Sequence, residues 1–296
     1  MLRPISSLTA AAFAAMASLA PLTAAPRDGW KLVFSDEFEG NSLDATKWGT
    51  TMGFIGTHGP RYHNEYYLSH TEDDDVMVGD GLLHLQTQRR TVKGEEKPGT
   101  FHYTQGLVTS HDKFDFTHGY VEIRARFPGG NGLWPCLWLM PRTQGWPPEF
   151  DIAEYYAGKR TMHHGLAHGD LYDSKWDSVW DSETDFESDW HVYALEWTRG
   201  RAVWLIDGKV RKTIDADYVP NAAMYLILSN SVSSAVGPSG EPDECTVFPN
   251  SFSIDYVRVY QPAVTTEVVL NEAAPAVSPA LDEPASEGSE EPPPAP

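Results

Sequence analysis

Val121, Ile123, Ala125 and Phe127 alternate with Glu122, Arg124 and Arg126, a period of two that a half-buried β-strand satisfies and a helix does not. The same grain runs along the chain. Leu82 to Gln86, Met162 to His168, Val192 to Trp197 and Tyr225 to Ser229 read as short strands bounded by Gly, Pro, Asn and Asp. Ala202 to Ile206 runs into Asp207-Gly208, a strong hairpin turn, and emerges as Lys209 to Ile214. Phe252 to Tyr260 closes the series with Ile254, Tyr256, Val257 and Val259. No long helical periodicity, internal repeat or linker interrupts the strands, so the pattern predicts one all-β sandwich. A chain of 296 residues can bury a substantial core in such a unit once its two ends are set aside.

The ends differ from the body. Arg3 is followed by an Ala-rich apolar run from Leu8 to Ala20, then by small residues at Thr23, Ala24 and Ala25. That is the layout of a secretory signal peptide, expected over residues 1–25, and it is too short to cross a bilayer, which takes about 20 apolar residues. Residues 262–296 are rich in Pro, Ala, Glu and Ser, with seven acidic residues and no Lys or Arg. A disordered acidic, Pro-rich tail is expected, because so little apolar surface cannot offset the entropy of ordering. Residues 26–261 remain as the folded domain of a protein expected to be secreted, extracellular or periplasmic.

The whole chain has 22 Lys and Arg against 42 Asp and Glu, a net charge of −20. That balance argues against nucleic acid and anionic membrane surfaces as partners, and a monomer without membrane insertion is expected. Cys136 and Cys245 are too few for a disulfide scaffold. A bridge between them stays open in an oxidising compartment, while Cys136, inside the apolar run Trp134 to Met140, also reads as a small buried hydrophobe.

The chemistry is concentrated in Glu149-Phe150-Asp151-Ile152-Ala153-Glu154. On a strand Glu149 and Asp151 share one face and Phe150 and Ile152 the other. Strict alternation would put Ala153 beside the first two acids. A one-residue β-bulge at Ile152-Ala153 would bring Glu154 back to them. Three carboxyls a few ångströms apart resist simultaneous ionisation, a cost that retaining glycoside hydrolysis puts to use, with two carboxyls about 5–5.5 Å apart as nucleophile and acid/base. On spacing alone a solvent-facing acidic strand or a cation site stays open.

Glu149-x-Asp151-x-x-Glu154 resembles the active-site signature of glycoside hydrolase family 16 in its laminarinase-like, β-bulge form. The likeness extends to Trp30–Gly40 (WKLVFSDEFEG), Gly119–Met140 (GYVEIRARFPGGNGLWPCLWLM) and Ile254–Gln261 (IDYVRVYQ). It implies a β-jelly-roll sandwich of two curved antiparallel sheets, concanavalin A-like, in agreement with the strand pattern. It further implies Glu149 as nucleophile, Asp151 as assisting aspartate and Glu154 as acid/base, with no cofactor for catalysis.

A sugar cleft also needs flat apolar platforms and hydrogen-bonding groups. Trp134 is similar to the family's stacking tryptophan. Trp138 shares its parity, and Trp146 lies in the Pro-rich loop before Glu149. Trp30, Trp190, Trp197 and Trp204 read as core. His168 resembles a cleft histidine of the family, and of the adjacent His163 and His164, which have opposite faces, at most one should join it. Asn64 and Glu65 resemble the family's Asn-Glu segment over the glycone subsites, and Arg61 before them could contact an anionic sugar. A structural Ca²⁺ site remote from the chemistry is implied at Glu37, Gly81 and Asp255.

The expected substrate is a β-1,3- or mixed β-1,3/1,4-glucan. The segment Ser229–Ala235 lacks the Gly-Gly usual in the family, and Thr57–His63 departs from a laminarinase loop. These departures keep a β-galactan of the agar or carrageenan type in view. A catalytically silent jelly-roll lectin is the rival from another class, and the intact acid triplet argues against it.

Overall fold

The computed structural model describes residues 28–53, 59–96, 98–143, 145–178 and 184–263. The expected signal peptide, and the expected tail apart from Pro262 and Ala263, lie outside them. Pro262 ends the strand Asn250–Pro262, opposite Trp30, so the folded body continues one residue past the expected boundary.

Two sheets face each other. The smaller runs in the order Leu171–Ser178, Thr161–His168, Glu149–Tyr156, Leu133–Pro141, Met224–Val232, Leu107–Thr109, with every ladder antiparallel. The larger is built around Gly119–Arg126 and Asn250–Pro262, flanked on one side by His191–Thr198, Arg201–Ile206 and Lys209–Asp215 and on the other by Leu82–Gln88. Its outermost pair, Ser69–Thr71 with Tyr103–Gln105, is parallel, a departure from the expected all-antiparallel sandwich. The hairpin read at Asp207-Gly208 is present, with φ of 50° and 73°, the left-handed pair that a two-residue turn requires.

Alternation decides what each strand buries. Val121, Ile123 and Ala125 from the larger sheet meet Leu137, Leu139, Phe150 and Ile152 from the smaller in one inter-sheet cluster. Each of the larger ones, fully withdrawn from water, contributes about 1.5–3 kcal/mol. Trp197 and Trp204 belong to this cluster as expected. Trp30 and Trp190 do not. Trp190 is only partly buried and lies against the guanidinium groups of Arg124 (5.1 Å) and Arg126 (5.3 Å).

The smaller sheet carries a second cluster. Trp134, Cys136, Trp138 and Met140, the other face of Leu133–Pro141, pack with Met52, Tyr67, Tyr156 and Tyr225. This layer forms the floor of a cleft of about 820 Å³.

Candidate active site

The acid strand bulges where the sequence called for it. Across from it, Leu137 pairs with Ala153 but Trp138 pairs with Asp151, leaving Ile152 as the extra residue. On the other side Asp151 pairs with Gly165 and Glu154 with His163, again one residue out of step. Phe150, Ile152, Ala153 and Tyr155 therefore all enter the inter-sheet core. Glu149, Asp151, Glu154 and Tyr156 line the cleft. A bulge inserts one residue and flips the parity of all that follows.

The three acids have different surroundings. Glu149, half-buried, accepts a hydrogen bond from the Trp146 indole N–H at 2.6 Å. Asp151 is 3% exposed and accepts from the Tyr172 hydroxyl at 2.5 Å. Glu154 is caged. One oxygen accepts from Trp134 Nε1 (3.0 Å), and the other lies 2.5 Å from His163 Nδ1 and 3.2 Å from the Tyr156 hydroxyl. The Tyr172 hydroxyl reaches the same oxygen at 3.4 Å. The Cys136 thiol stands 3.9 Å from Glu154 Oε1.

Burial and mutual repulsion set the protonation. Burial first, then the Asp151 charge, pushes Glu149 well above the ordinary carboxylate value. Asp151 is raised from 3.8 to about 7 by burial and the nearby Glu154, against opposing pulls from His163, the Tyr172 hydrogen bond and Lys212. The same two causes, burial and the acids, drive the Tyr156 and Tyr172 phenols and the Cys136 thiol upward, so all three keep their protons. Glu149 and Asp151 are thus crowded, buried carboxyls with raised proton affinity, and the indoles and tyrosine hydroxyls around the acids donate hydrogen bonds to them.

The expected aromatic residues divide. Trp134, Trp138 and Trp146 all line the cleft. Trp134 packs against Tyr67 with ring centroids 4.7 Å apart, Trp138 is buried in the floor, and Trp146 is 61% exposed at the rim. Asn64 lines the cleft and its side chain caps the backbone N–H of Tyr66 at 3.0 Å. Glu65 instead borders a smaller neighbouring pocket with Tyr62, Phe101 and His102.

Two expected binders lie elsewhere. His168 shares parity with Met162, His164 and Leu166, the inward side of its strand, and at the strand end it is exposed and stacked on Tyr218 at 5.7 Å. The histidine of this strand that reaches the acids is His163, one face over and fully buried against Glu154; His164 turns inward and bonds the Ile152 carbonyl at 2.7 Å. Arg61 is held by Asp73 at 2.9 Å and the Thr71 carbonyl at 3.0 Å, and is absent from the cleft lining. Its charge is spent on the fold. Cys136 is buried, Cys245 is exposed, and both are free thiols, so the bridge left open by the sequence is not made.

The residues assigned to calcium do not form a cation shell. Glu37 gives both carboxylate oxygens to Arg258 (2.9 and 2.7 Å), and Asp255 is paired with Arg124. Gly81 occupies a turn at φ 75°. Arg258 takes both Glu37 oxygens and Arg124 takes one oxygen of Asp255, so the residues as arranged do not fit a hard cation, which needs several such oxygens turned toward one point. Among the described residues, the acid and histidine ligand atoms that could converge on a metal are those of Asp151, Glu154 and His163, within 4.8 Å of one another; they belong to the carboxyl cluster itself.

His63, Tyr66, Tyr67, His111, Arg142, Tyr156 and Tyr172 also line the cleft and were not foreseen. Tyr156 was within reach of the bulge argument, since it follows Glu154 by two. The others come from loops or, for Tyr172, from the edge strand two away from the acid strand, where only pairing register reveals them.

Comparison with known proteins agrees with this geometry. The family model for Glycosyl hydrolases family 16 matches residues 63–246. A beta-glucanase of Rhodothermus marinus is 31% identical over 254 residues, 78% of this chain and 85% of that protein. Glucan endo-1,3-beta-glucosidase A1 of Niallia circulans is 27% identical over 262 residues, 79% of this chain but 38% of that protein. The catalytic domain of an endo-1,3-beta-glucanase (laminarinase) from Thermotoga petrophila matches with a TM-score of 0.69 at 29% identity, covering 79% of this chain and 98% of that one.

Proposed function

The chain belongs to glycosyl hydrolases family 16 and is a glycoside hydrolase, and from that premise we propose that it is a secreted endo-hydrolase of β-1,3- or mixed β-1,3/1,4-glucan acting by double displacement with retention. The observation that carries the reading is the bulge at Ile152, which turns Glu154 to the cleft face already occupied by Glu149 and Asp151. The glucan preference draws on relatives whose names specify β-glucan. Secretion rests on the signal-peptide layout of residues 1–25.

In the proposed cycle Glu154 donates its proton to the leaving oxygen while Glu149 attacks the anomeric carbon. Glu154 then takes a proton from the water that releases the glycosyl-enzyme. Trp134 and His163 orient Glu154 from opposite oxygens, and Trp146 orients Glu149. Asp151, between them, keeps the proton affinities of the reacting pair apart through its own charge. The chemistry uses side chains alone.

The test is a reducing-end assay on laminarin, lichenan, agarose and carrageenan, with Glu149→Ala as control. Laminarin or lichenan should be cut and the variant should be folded but inactive. Product from agarose or carrageenan alone would reassign the substrate to β-galactan, and no product from any polymer would leave a carbohydrate-binding protein without turnover. Early product NMR should show the β-anomer; an initial α-anomer would overturn retention.

A further inference from the structure

Tyr172 stands in the cleft without a role in that cycle. It lies on Leu171–Ser178, the outermost strand of the smaller sheet, opposite Ala167. Its hydroxyl is 2.5 Å from Asp151 Oδ2 and 3.4 Å from Glu154 Oε2, touching two of the three acids at once. One ring face stacks on His163 with centroids 5.4 Å apart. The residue is nevertheless 48% exposed, so the hydroxyl is buried against the acids while much of the ring faces the cleft.

The surroundings hold this placement. Gly165, paired with Asp151 on one side and Ser174 on the other, leaves the space the contact needs. A Cβ there would collide with Asp151 Oδ2 and stand 2.8 Å from both the Tyr172 hydroxyl and His163 Cε1. The next residue, Asp173, is anchored from the opposite sheet by Lys212 at 3.0 Å and from a loop by the Tyr218 hydroxyl at 3.1 Å. Lys212 also bonds the Asp173 and His164 carbonyls. An exposed tyrosine on an edge strand would ordinarily be free to turn; here its backbone is braced, so the hydroxyl is fixed before any sugar arrives.

We propose, on the hydrolytic reading above, that Tyr172 is a positioning residue of the reaction: its hydroxyl holds the Asp151 carboxyl oriented between the two reacting carboxyls, and its outer ring face carries the sugar next to the bond being cut. The groups that bear on Asp151 are Glu149 and Glu154 on its own strand, His163 across the ladder, Lys212 from the opposite sheet, and the Cys136 thiol and Tyr67 phenol on the cleft floor. Of these, Lys212 and His163 act through charge, whereas the Tyr172 hydroxyl donates directly to an Asp151 oxygen. Removing a donor from a charged oxygen raises its proton affinity, so the Asp151 titration should move to higher pH, and with it the acid limb of the pH–rate profile, where the reaction needs the Asp151 charge.

Tyr172→Phe and Tyr172→Ala separate the two parts. Phe keeps the ring and loses the hydroxyl; kcat should fall about tenfold or more, with KM within about twofold and the acid limb of kcat/KM raised by roughly half to one pH unit. Ala loses the platform as well, so KM should also rise. Carboxyl-carbon NMR titration of Asp151 needs no turnover, and its midpoint should rise in Tyr172→Phe. A Phe variant with wild-type kcat and an unmoved Asp151 titration would overturn the proposal. Should wild type cut no polymer while the midpoint still moves, the hydrolytic reading fails and the hold of Tyr172 on Asp151 stands.

Discussion

Asp151→Asn should make the fold more stable while ending catalysis. Asp151 is 3% exposed, and burial together with Glu154 raises its pKa from 3.8 to about 7. Below about pH 4 the carboxyl is protonated in the folded and unfolded chains alike, and folding costs it nothing. Between pH 4 and 7 the unfolded chain ionises it and the folded chain does not. Stability is then lost by up to about 1.4 kcal/mol per pH unit and levels off above the folded value. The ceiling at neutral to mildly alkaline pH is about 4 kcal/mol. Glu154 shares the same repulsion, so a gain of about 1–3 kcal/mol is expected from the amide, which stays neutral throughout. Tyr172 can still donate to the amide oxygen, so its hydroxyl keeps its partner. Urea unfolding at pH 4.5 and pH 8 measures this. The variant should resemble wild type at the lower pH and gain at the higher, with activity down at least about a hundredfold. Equal stability at pH 8, or an equal gain at both, would refute the assignment of a strained carboxyl.

Gly165→Ala places a Cβ against Asp151, His163 and Tyr172 at once; activity should collapse and stability fall by about 1–3 kcal/mol, and a variant with wild-type turnover would show that the contact is not needed. Because Cys245 is exposed and Cys136 buried with its thiol pKa raised, a thiol reagent should titrate one cysteine in the native protein and two after denaturation. Two reactive thiols before unfolding, or none, would contradict that placement.

The strand framework was readable because alternation is local. Val121 to Phe127 shows its buried face in seven residues, and Asp207-Gly208 shows its turn in two. The bulge was readable for a subtler reason: Glu154 has the wrong parity for a carboxyl group that must join Glu149, and one inserted residue repairs it. His168 misled because its strand position was counted from the family likeness instead of from pairing. Once His163 is known to pair with Glu154, parity sends His168 to the other face. Tyr172 was out of reach for the same cause, since its tie to Asp151 crosses an intervening strand. Arg61 looked available because its partner Asp73 lies in a separate element, the short 3-10 helix Asp73–Asp75. Neither neighbour can be inferred from spacing along one chain segment.

The cleft floor is an apolar layer of its own, with Trp134, Cys136, Trp138 and Met140 on one side of a strand whose other side, Leu133, Leu137 and Leu139, closes the interior. A substitution on the floor can reshape which glycan fits without loosening the contact between the sheets. Natural variation in specificity, and laboratory evolution toward a new polymer, should therefore accumulate in the outer layer while the inner one stays as it is.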